Sequence, residues 1–341
     1  MIHTFLRGQR VLITGVSGFL GLALCDQLTI AGAHVTGIDI YPPAASNSAY
    51  GRWLKLPHQF VQLDLLTPQL GEFLADQRFD TIFHLAGMAN ASGSIIWPTQ
   101  DFSQNLVATF HLLDALRNCE FRGRFIFASS AAVYGEPPTH RITEETPVRP
   151  ISPYGVSKLA AEEYIRVYSD LYGFEAAIAR LFSIYGPRQK KQVVFDILHK
   201  ALLSDEPISL FGSGREVRDF IHVEDATRAL ATLTSQTKIG APIFNVCSGH
   251  GTAIRDLAYL IVTMAHQSIE RVTFTGNKRG GDPSHWVGCN KALLRTGYTA
   301  EYSLFTGLQG TLNWFNQCRY QINKETAKKC GKACKLLEMH P

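Results

Sequence analysis

An apolar run that ends in a tight glycine turn and leads straight into a helix constrains this chain more than any other feature. Residues 10–14 (RVLIT) read as a buried strand, and Thr14-Gly15-Val16-Ser17-Gly18-Phe19-Leu20-Gly21 follows as a G-x-x-G-x-x-G turn that opens a helix over 19–31. Glycines at this spacing let the backbone approach a pyrophosphate, whose charge is then held by the orphan N–H groups of the helix N-terminus. The spacing differs from G-x-G-x-x-G. No Gly-Lys-Ser/Thr follows, which argues against a nucleoside triphosphatase.

The next strand, 34–39, ends in Asp39, about twenty residues beyond the glycines. A carboxylate there accepts hydrogen bonds from the adenosine ribose hydroxyls and repels a 2′-phosphate, so NAD is expected rather than NADP. Asp64, which closes the following strand in FVQLD, is positioned to meet the adenine.

Beyond the glycine turn, strands at 10–14, 34–39, 60–63, 81–85, 125–129 and 176–181 alternate with helices at 19–31, 99–118 and 153–172. Six strands with crossover helices predict an α/β fold with a Rossmann-type doubly wound parallel sheet. After Gly186-Pro187 the pattern becomes less regular, with a helix at 193–204, a short strand near 208–211, further segments at 223–233, 243–246, 254–265 and 271–274, and a last helix at 304–319. This half reads as a smaller α/β substrate-binding domain. The expected division is a dinucleotide domain over 1–183 to which 219–248 returns, a substrate domain from 184–218 and 249–320, and a basic tail at 321–341 that reads as disordered.

Composition excludes several classes. With 341 residues, 45% of them hydrophobic, a large core is available and a disordered or fibrous chain is excluded. The net charge of +4 sits largely in the tail segment KETAKKCGKACK, so nucleic acid is not an expected partner. Seven cysteines are scattered without C-x-x-C or Cys/His spacing, which predicts free thiols in a reducing compartment and no metal site. No run approaches about 18 apolar residues, and no leader pattern opens the chain, so a cytoplasmic protein away from the membrane is expected.

Tyr154-Gly-Val-Ser-Lys158 puts a phenol and an ammonium at i and i+4, on one face of the helix that begins at Pro153. A tyrosine near its usual pKa of about 10 is a poor base at neutral pH and needs a nearby cation, which Lys158 and the positive nicotinamide ring would supply. The fifth strand ends in Ser129-Ser130 at the carboxyl edge of the sheet, where ligands bind. A Ser130 hydroxyl there could bond the reacting oxygen and pass its proton to the phenolate.

These motifs together resemble the extended short-chain dehydrogenase/reductases, in the nucleotide-sugar epimerase/dehydratase branch that includes UDP-glucose 4-epimerase. The similarity runs from about Arg10 to Phe315 and includes TGVSGFLG, HLAG, SSAAVYG, SPYGVSK, RLFSIYGPRQ, REVRDFIHVED and RGGD. The resemblance implies cofactor contacts from Phe19, Leu20, Leu65, Leu85, Ala86, Gly87 and Asn105, beside Gly15, Gly18, Gly21, Asp39 and Asp64. It implies NAD-mediated oxidation of a sugar carbon, usually C4, in a nucleoside-diphosphate sugar, with Tyr154, Ser130 and Lys158 as the catalytic set. In a 4-epimerase, the expected activity, the 4-keto sugar turns over and takes the hydride back on its other face.

Dehydratases of the branch carry an acid pair after the catalytic hydroxyl; here Ser130 is followed by Ala131 and Ala132, whose methyl groups transfer no protons. A 4-keto-sugar reductase is the alternative, and a decarboxylating oxidase and a non-catalytic dinucleotide-binding scaffold are further ones. By the same resemblance, Arg218 and Arg279 hold the diphosphate, Asp282 lies in the matching RGGD motif, and Phe211 lies beside the base. Ser183 contacts substrate where the family usually has Asn. Trp286 stands where bulk disfavours an N-acetyl group. His84 and His222 read as packed rather than catalytic. The helices over 99–118 and 153–172 match the segments through which family members form homodimers.

Overall fold

The computed structural model describes residues 5–43 and 54–318; the tail expected at 321–341, with Cys330 and Cys334, lies outside the described residues. In chain order the strands are β1 (Arg10–Thr14), β2 (His34–Asp39), β3 (Gln59–Gln62), β4 (Thr81–His84), β5 (Arg124–Ser130), β6 (Glu175–Leu181), β7 (Ser183–Tyr185), β8 (Ile208–Leu210), β9 (Val217–His222), β10 (Ile243–Val246), β11 (Gly251–Ala253), β12 (Val272–Phe274) and β13 (His285–Trp286). Seven of them form one parallel sheet in the order β10-β6-β5-β4-β1-β2-β3. The order reverses direction between β1 and β4, and such a switch point opens a crevice at the carboxyl ends of the strands.

Periodicity alone predicts six strands; the seventh is β10, which aligns Ile243 with Ile178 of β6 after a crossover through β9 and the helix Val223–Leu233. The central strands are buried on both faces, which explains their continuous apolar runs. One core layer joins Val11, Ile13, Leu24, Leu28, Phe83 and Leu230, and the opposite layer joins Leu12, Ile82, Leu112, Phe125, Ile165 and Phe174.

The remaining strands build two small sheets. β9 lies between β11 and β13 and also pairs with β7, while β8 pairs with β12. A separate core of Val194, Ile197, Leu198, Ile208, Leu257, Ile261 and Phe315 packs behind them. The last described helix covers 304–318. No helix among the described residues is long and apolar enough to cross a membrane.

Two helices shape the site. Pro153–Tyr172 starts where Ser152 accepts a hydrogen bond from the Gly155 N–H with Pro153 in the first turn, and it stops at Gly173 in the left-handed region (φ 74°). The expected helix over 99–118 is interrupted. It runs as Pro98–Phe102, a π-helical turn Ser103–Val107, and Ala108–Asn118. The extra residue in such a turn re-aims side chains, and here it carries Asn105 into the interior.

Candidate active site

At the end of β1, Gly15 adopts φ +74°, and a Cβ added there would lie 2.7 Å from the Ala86 nitrogen on the loop after β4. Gly21 is as confined: its Cβ would meet the Gly15 carbonyl oxygen at 2.2 Å. The glycines therefore let β1, the loop Leu85–Gly87 and the helix Phe19–Ile30 close on one another. Gly18 caps that helix without a side-chain hydrogen bond, so its first N–H groups keep their capacity for an anion.

Asp39, at the end of β2, accepts from the Ser17 N–H (3.0 Å) and the Tyr41 N–H (3.3 Å), which holds its carboxylate beside the glycine turn. Exposed Asp64 accepts from the Leu66 N–H (2.9 Å) and stands at the start of the next turn, with Leu65 buried beside it. Phe19 and Leu20 are half-buried in the first turn of the helix.

Asn105 is fully buried and its amide is saturated. It donates to the Met88 carbonyl (3.2 Å) and to Asp101 (2.8 Å), and accepts from the Met88 N–H (3.1 Å). Asn105 therefore ties the loop at Met88 to the helix Pro98–Phe102. Thr14, His84 and Thr109 extend the same buried chain, with the His84 ring 2.7 Å from the Thr14 hydroxyl and 2.9 Å from that of Thr109. Burial, with Lys158 nearby, lowers His84 to a pKa of about 3. A neutral, fully bonded imidazole matches the packing role expected of it.

Tyr154 and Lys158 occupy one face of the helix Pro153–Tyr172 and are 7% and 5% exposed, values that remove them from the class of solvated helix pairs. Ser130, at the end of β5, accepts from the Ala132 N–H (3.1 Å) and lies close enough to the Tyr154 phenol to favour its ionised form. The three residues of the expected catalytic set thus converge. Burial pushes the Tyr154 phenol up to about 12, opposed by the Ser130 hydrogen bond and aided by the field of Asp101. Burial draws the Lys158 ammonium down to about 8, opposed by Asp101 and Glu162. Lys158 Nζ also lies 4.7 Å from the centre of the Phe127 ring. A phenol that resists ionisation in this way needs added positive charge before it can act as a base.

The 3₁₀ turn Ala131–Tyr134 is enclosed by protein, and Gly155 approaches it so closely that a Cβ there would sit 2.5 Å from the Ala132 carbonyl oxygen. Behind the site, Glu162 bonds Ser129 and Arg180 together, with Arg180 Nη2 2.7 Å from Glu162 Oε2.

On the other side lies a cluster of charged and aromatic groups. Arg218, on β9, is 8% exposed, 3.5 Å from Asp282, and over the Trp286 ring at 5.6 Å. Trp286 donates its indole N–H to the Gly135 carbonyl (2.7 Å). Exposed Arg279 covers the Phe211 ring at 4.1 Å. A Cβ on Gly281 would come within 3.1 Å of Ser152 Cβ, so the 279–282 loop abuts the start of the Tyr154 helix. Half-buried Ser183 is on β7, opposite Phe220 of β9.

Sequence reasoning missed Asp101, Ser157 and Glu162. Ser157 follows the conspicuous Tyr154 by three residues, yet its partner Asp101 (2.8 Å) comes from another helix. Among the described residues no group of three or more His, Cys, Asp or Glu side chains is arranged to hold a metal.

Residues 11–247 match the family model described as NAD dependent epimerase/dehydratase family. The chain is 32% identical over 310 residues to UDP-glucose 4-epimerase of Mycolicibacterium smegmatis, covering 90% of this chain and 98% of that protein. It is also 32% identical over 324 residues to GDP-6-deoxy-D-mannose reductase of Pseudomonas aeruginosa, with 91% and 99% covered. In structure it resembles UDP-glucuronic acid 4-epimerase from Bacillus cereus, solved in complex with UDP-glucuronic acid and NAD, with a TM-score of 0.81, 28% identity, and coverage of 90% and 99%.

Proposed function

Because the chain belongs to the NAD dependent epimerase/dehydratase family, we propose that it interconverts C4 epimers of a nucleoside-diphosphate hexose through a transient 4-keto sugar. The observation that carries this reading is half-buried Ser130 beside buried Tyr154 and Lys158, with Ser130 followed by Ala131 and Ala132 instead of acids. NAD, the family's cofactor, fits the cradle of Gly15, Gly18 and Gly21 and the carboxylate of Asp39. Gly87 bounds the same crevice. Bound there, NAD would supply the acceptor and donor of the hydride exchanged with the sugar carbon.

The chain's own groups do the rest. Tyr154 takes the proton of the C4 hydroxyl, and Ser130 bonds that oxygen and the phenol. Lys158 supplies the positive charge that lowers the phenol's pKa from its elevated value. Arg218 and Arg279 hold the diphosphate by charge-assisted hydrogen bonds, with Asp282 orienting Arg218. Phe211 flanks the base, and Ser183 offers substrate a hydroxyl of shorter reach than the usual Asn amide. Trp286, fixed by its bond to Gly135, restricts the space for an N-acetyl group. Turnover of the N-acetylated sugar at the rate of the plain hexose would overturn that last assignment.

The same helices suggest a homodimer. Val156, Tyr164, Val167 and Leu171 form an exposed apolar stripe at helical spacing, and Phe110 packs edge-on against Tyr164 at 5.4 Å. Sedimentation of the wild type and of Leu171→Glu tests it, a dimer in the first and a monomer in the second being the expected result.

To test the activity, purified protein is incubated without added cofactor with UDP-glucose, UDP-galactose, UDP-glucuronic acid and related sugars, and epimers are followed by NMR. Conversion without net change of nicotinamide absorbance supports the epimerase. The similarity to a GDP-6-deoxy-D-mannose reductase motivates the second reading. Turnover only with a 4-keto sugar and NADH would establish it instead.

A further inference from the structure

Asp101 is a fully buried carboxylate on Pro98–Phe102, outside the glycine turn and the Ser130, Tyr154 and Lys158 set. Its two oxygens are divided between two elements. One accepts from the Ser157 hydroxyl at 2.8 Å, the residue that precedes Lys158. The other accepts from the Asn105 amide at 2.8 Å, and Asn105 grips Met88 by two hydrogen bonds. Asp101 therefore ties the catalytic helix to the loop that bounds the cofactor crevice.

The groups that face Lys158 are few. Glu162 faces it from its own helix, but that carboxylate is engaged by Arg180 and Ser129. His84, from β4, is neutral, and Phe127, from β5, offers a ring face. Tyr154 stands one turn away and is uncharged in its resting state. Asp101 is the carboxylate near Lys158 that no cation neutralises by direct contact among the described ion pairs. Burial raises the Asp101 carboxyl's own pKa, opposed by the hydrogen bonds from Ser157 and Asn105 and by the charge of Lys158; once ionised, its field acts on both Lys158 and Tyr154.

We propose that Asp101 is a positioning residue that sets the protonation of the Tyr154–Lys158 pair and fixes the distance between their helix and the loop at Met88. A negative charge favours the ammonium over the amine and the phenol over the phenolate, so removing it lowers both pKa values. The two limbs of the activity profile then slide together toward acid. Loss of packing alone lowers activity at every pH and leaves the limbs where they were. This inference rests on the epimerase reading for its kinetic arm only.

The test is Asp101→Asn, which keeps the shape and removes the charge. In protein carrying isotope-labelled lysine, with the Lys158 resonance assigned from Lys158→Met, the NMR titration of Lys158 is expected about one pH unit lower than in the wild type. The phenolate absorbance of Tyr154 should move in the same direction, and Asp101→Glu should restore both. An unmoved Lys158 titration in folded Asp101→Asn overturns the proposal. If the UDP-hexoses are not turned over, the titrations still decide, so failure of the epimerase reading is separable. Should Asp101→Asn not fold, the Asp101 carboxyl resonance of the wild type must respond where Lys158 ionises, and independent titration of the two overturns the proposal.

Discussion

The three glycines of the turn are unequal, and alanine at each makes the difference measurable. At Gly15 the new methyl meets two costs: φ is +74°, and Ala86 N, Ala86 Cα and Leu85 C lie at 2.7, 2.8 and 2.9 Å. The left-handed conformation costs an alanine about 1 kcal/mol, and overpacking against backbone adds about 1–3 kcal/mol. At Gly21 the backbone is helical, so alanine recovers about 1 kcal/mol of propensity, but the Gly15 oxygen at 2.2 Å and the Val16 Cα at 2.8 Å cannot both give way. At Gly18, φ is −71° and the nearest atom is 3.2 Å away. Gly15→Ala is expected to destabilise by about 2–4 kcal/mol, Gly21→Ala by about 0–2 kcal/mol and Gly18→Ala by under about 1 kcal/mol. Urea unfolding reads the stability and calorimetric titration with NAD reads the site. Equal destabilisation by Gly18→Ala and Gly15→Ala would refute the reasoning.

Tyr154→Phe removes the proton acceptor and little volume, so turnover should fall by about 10²–10⁴ while NAD affinity, read by calorimetry, stays within a few-fold. His84 has a folded pKa of about 3 and is neutral in the native state. The unfolded chain takes up its proton near the usual pKa of about 6.5, so the stability it contributes is present above that pH. It is lost as pH falls toward 3, at up to about 1.4 kcal/mol per pH unit. His84→Gln should flatten that slope in urea melts from neutral pH downward, and an unchanged slope would exclude the histidine as its source. Glu162→Gln leaves the Arg180 guanidinium, 4% exposed, without its carboxylate and should cost about 3–5 kcal/mol by the same melts.

What was legible in the sequence was what depends on near neighbours. Ser130 follows an apolar strand, Tyr154 and Lys158 sit one helical turn apart behind Ser152-Pro153, and the glycines lie between β1 and its helix. Each is a local pattern, and the main sheet follows from repeating such patterns. Three things were not local. β10 joins the sheet only because β6 offers it an edge a long way back in the chain. Glu162 looks like a solvated helix residue until Arg180 arrives from β6. Asp101 sits in a short polar stretch, PTQDF, and is buried because Ser157 and Asn105 satisfy it. The π turn that aims Asn105 has no periodic signature of its own.

The choice between elimination and epimerisation shows how the two kinds of information combine. Sequence alone says that Ala131 and Ala132 carry no proton. The fold adds that the turn they form is closed: Ala131 packs with Val133, Tyr134, Ile142 and Phe182, and Gly155 presses its backbone against the Ala132 carbonyl. An acid at Ala131 would have to be desolvated among those side chains, so restoring the residue types would not by itself restore the chemistry. On the epimerase reading, with no acid and base placed to drive elimination, a 4-keto sugar held by Ser130 and Tyr154 takes the hydride back. Which face receives it would depend on whether the sugar can turn between the oxidation and the return, a freedom the proposed function assigns to the side of the site formed by Ser183, Trp286 and the 279–282 loop. On that reading Ser130, Tyr154 and Lys158 fix the bond chemistry, while the loosely sequence-encoded substrate side decides the stereochemical outcome.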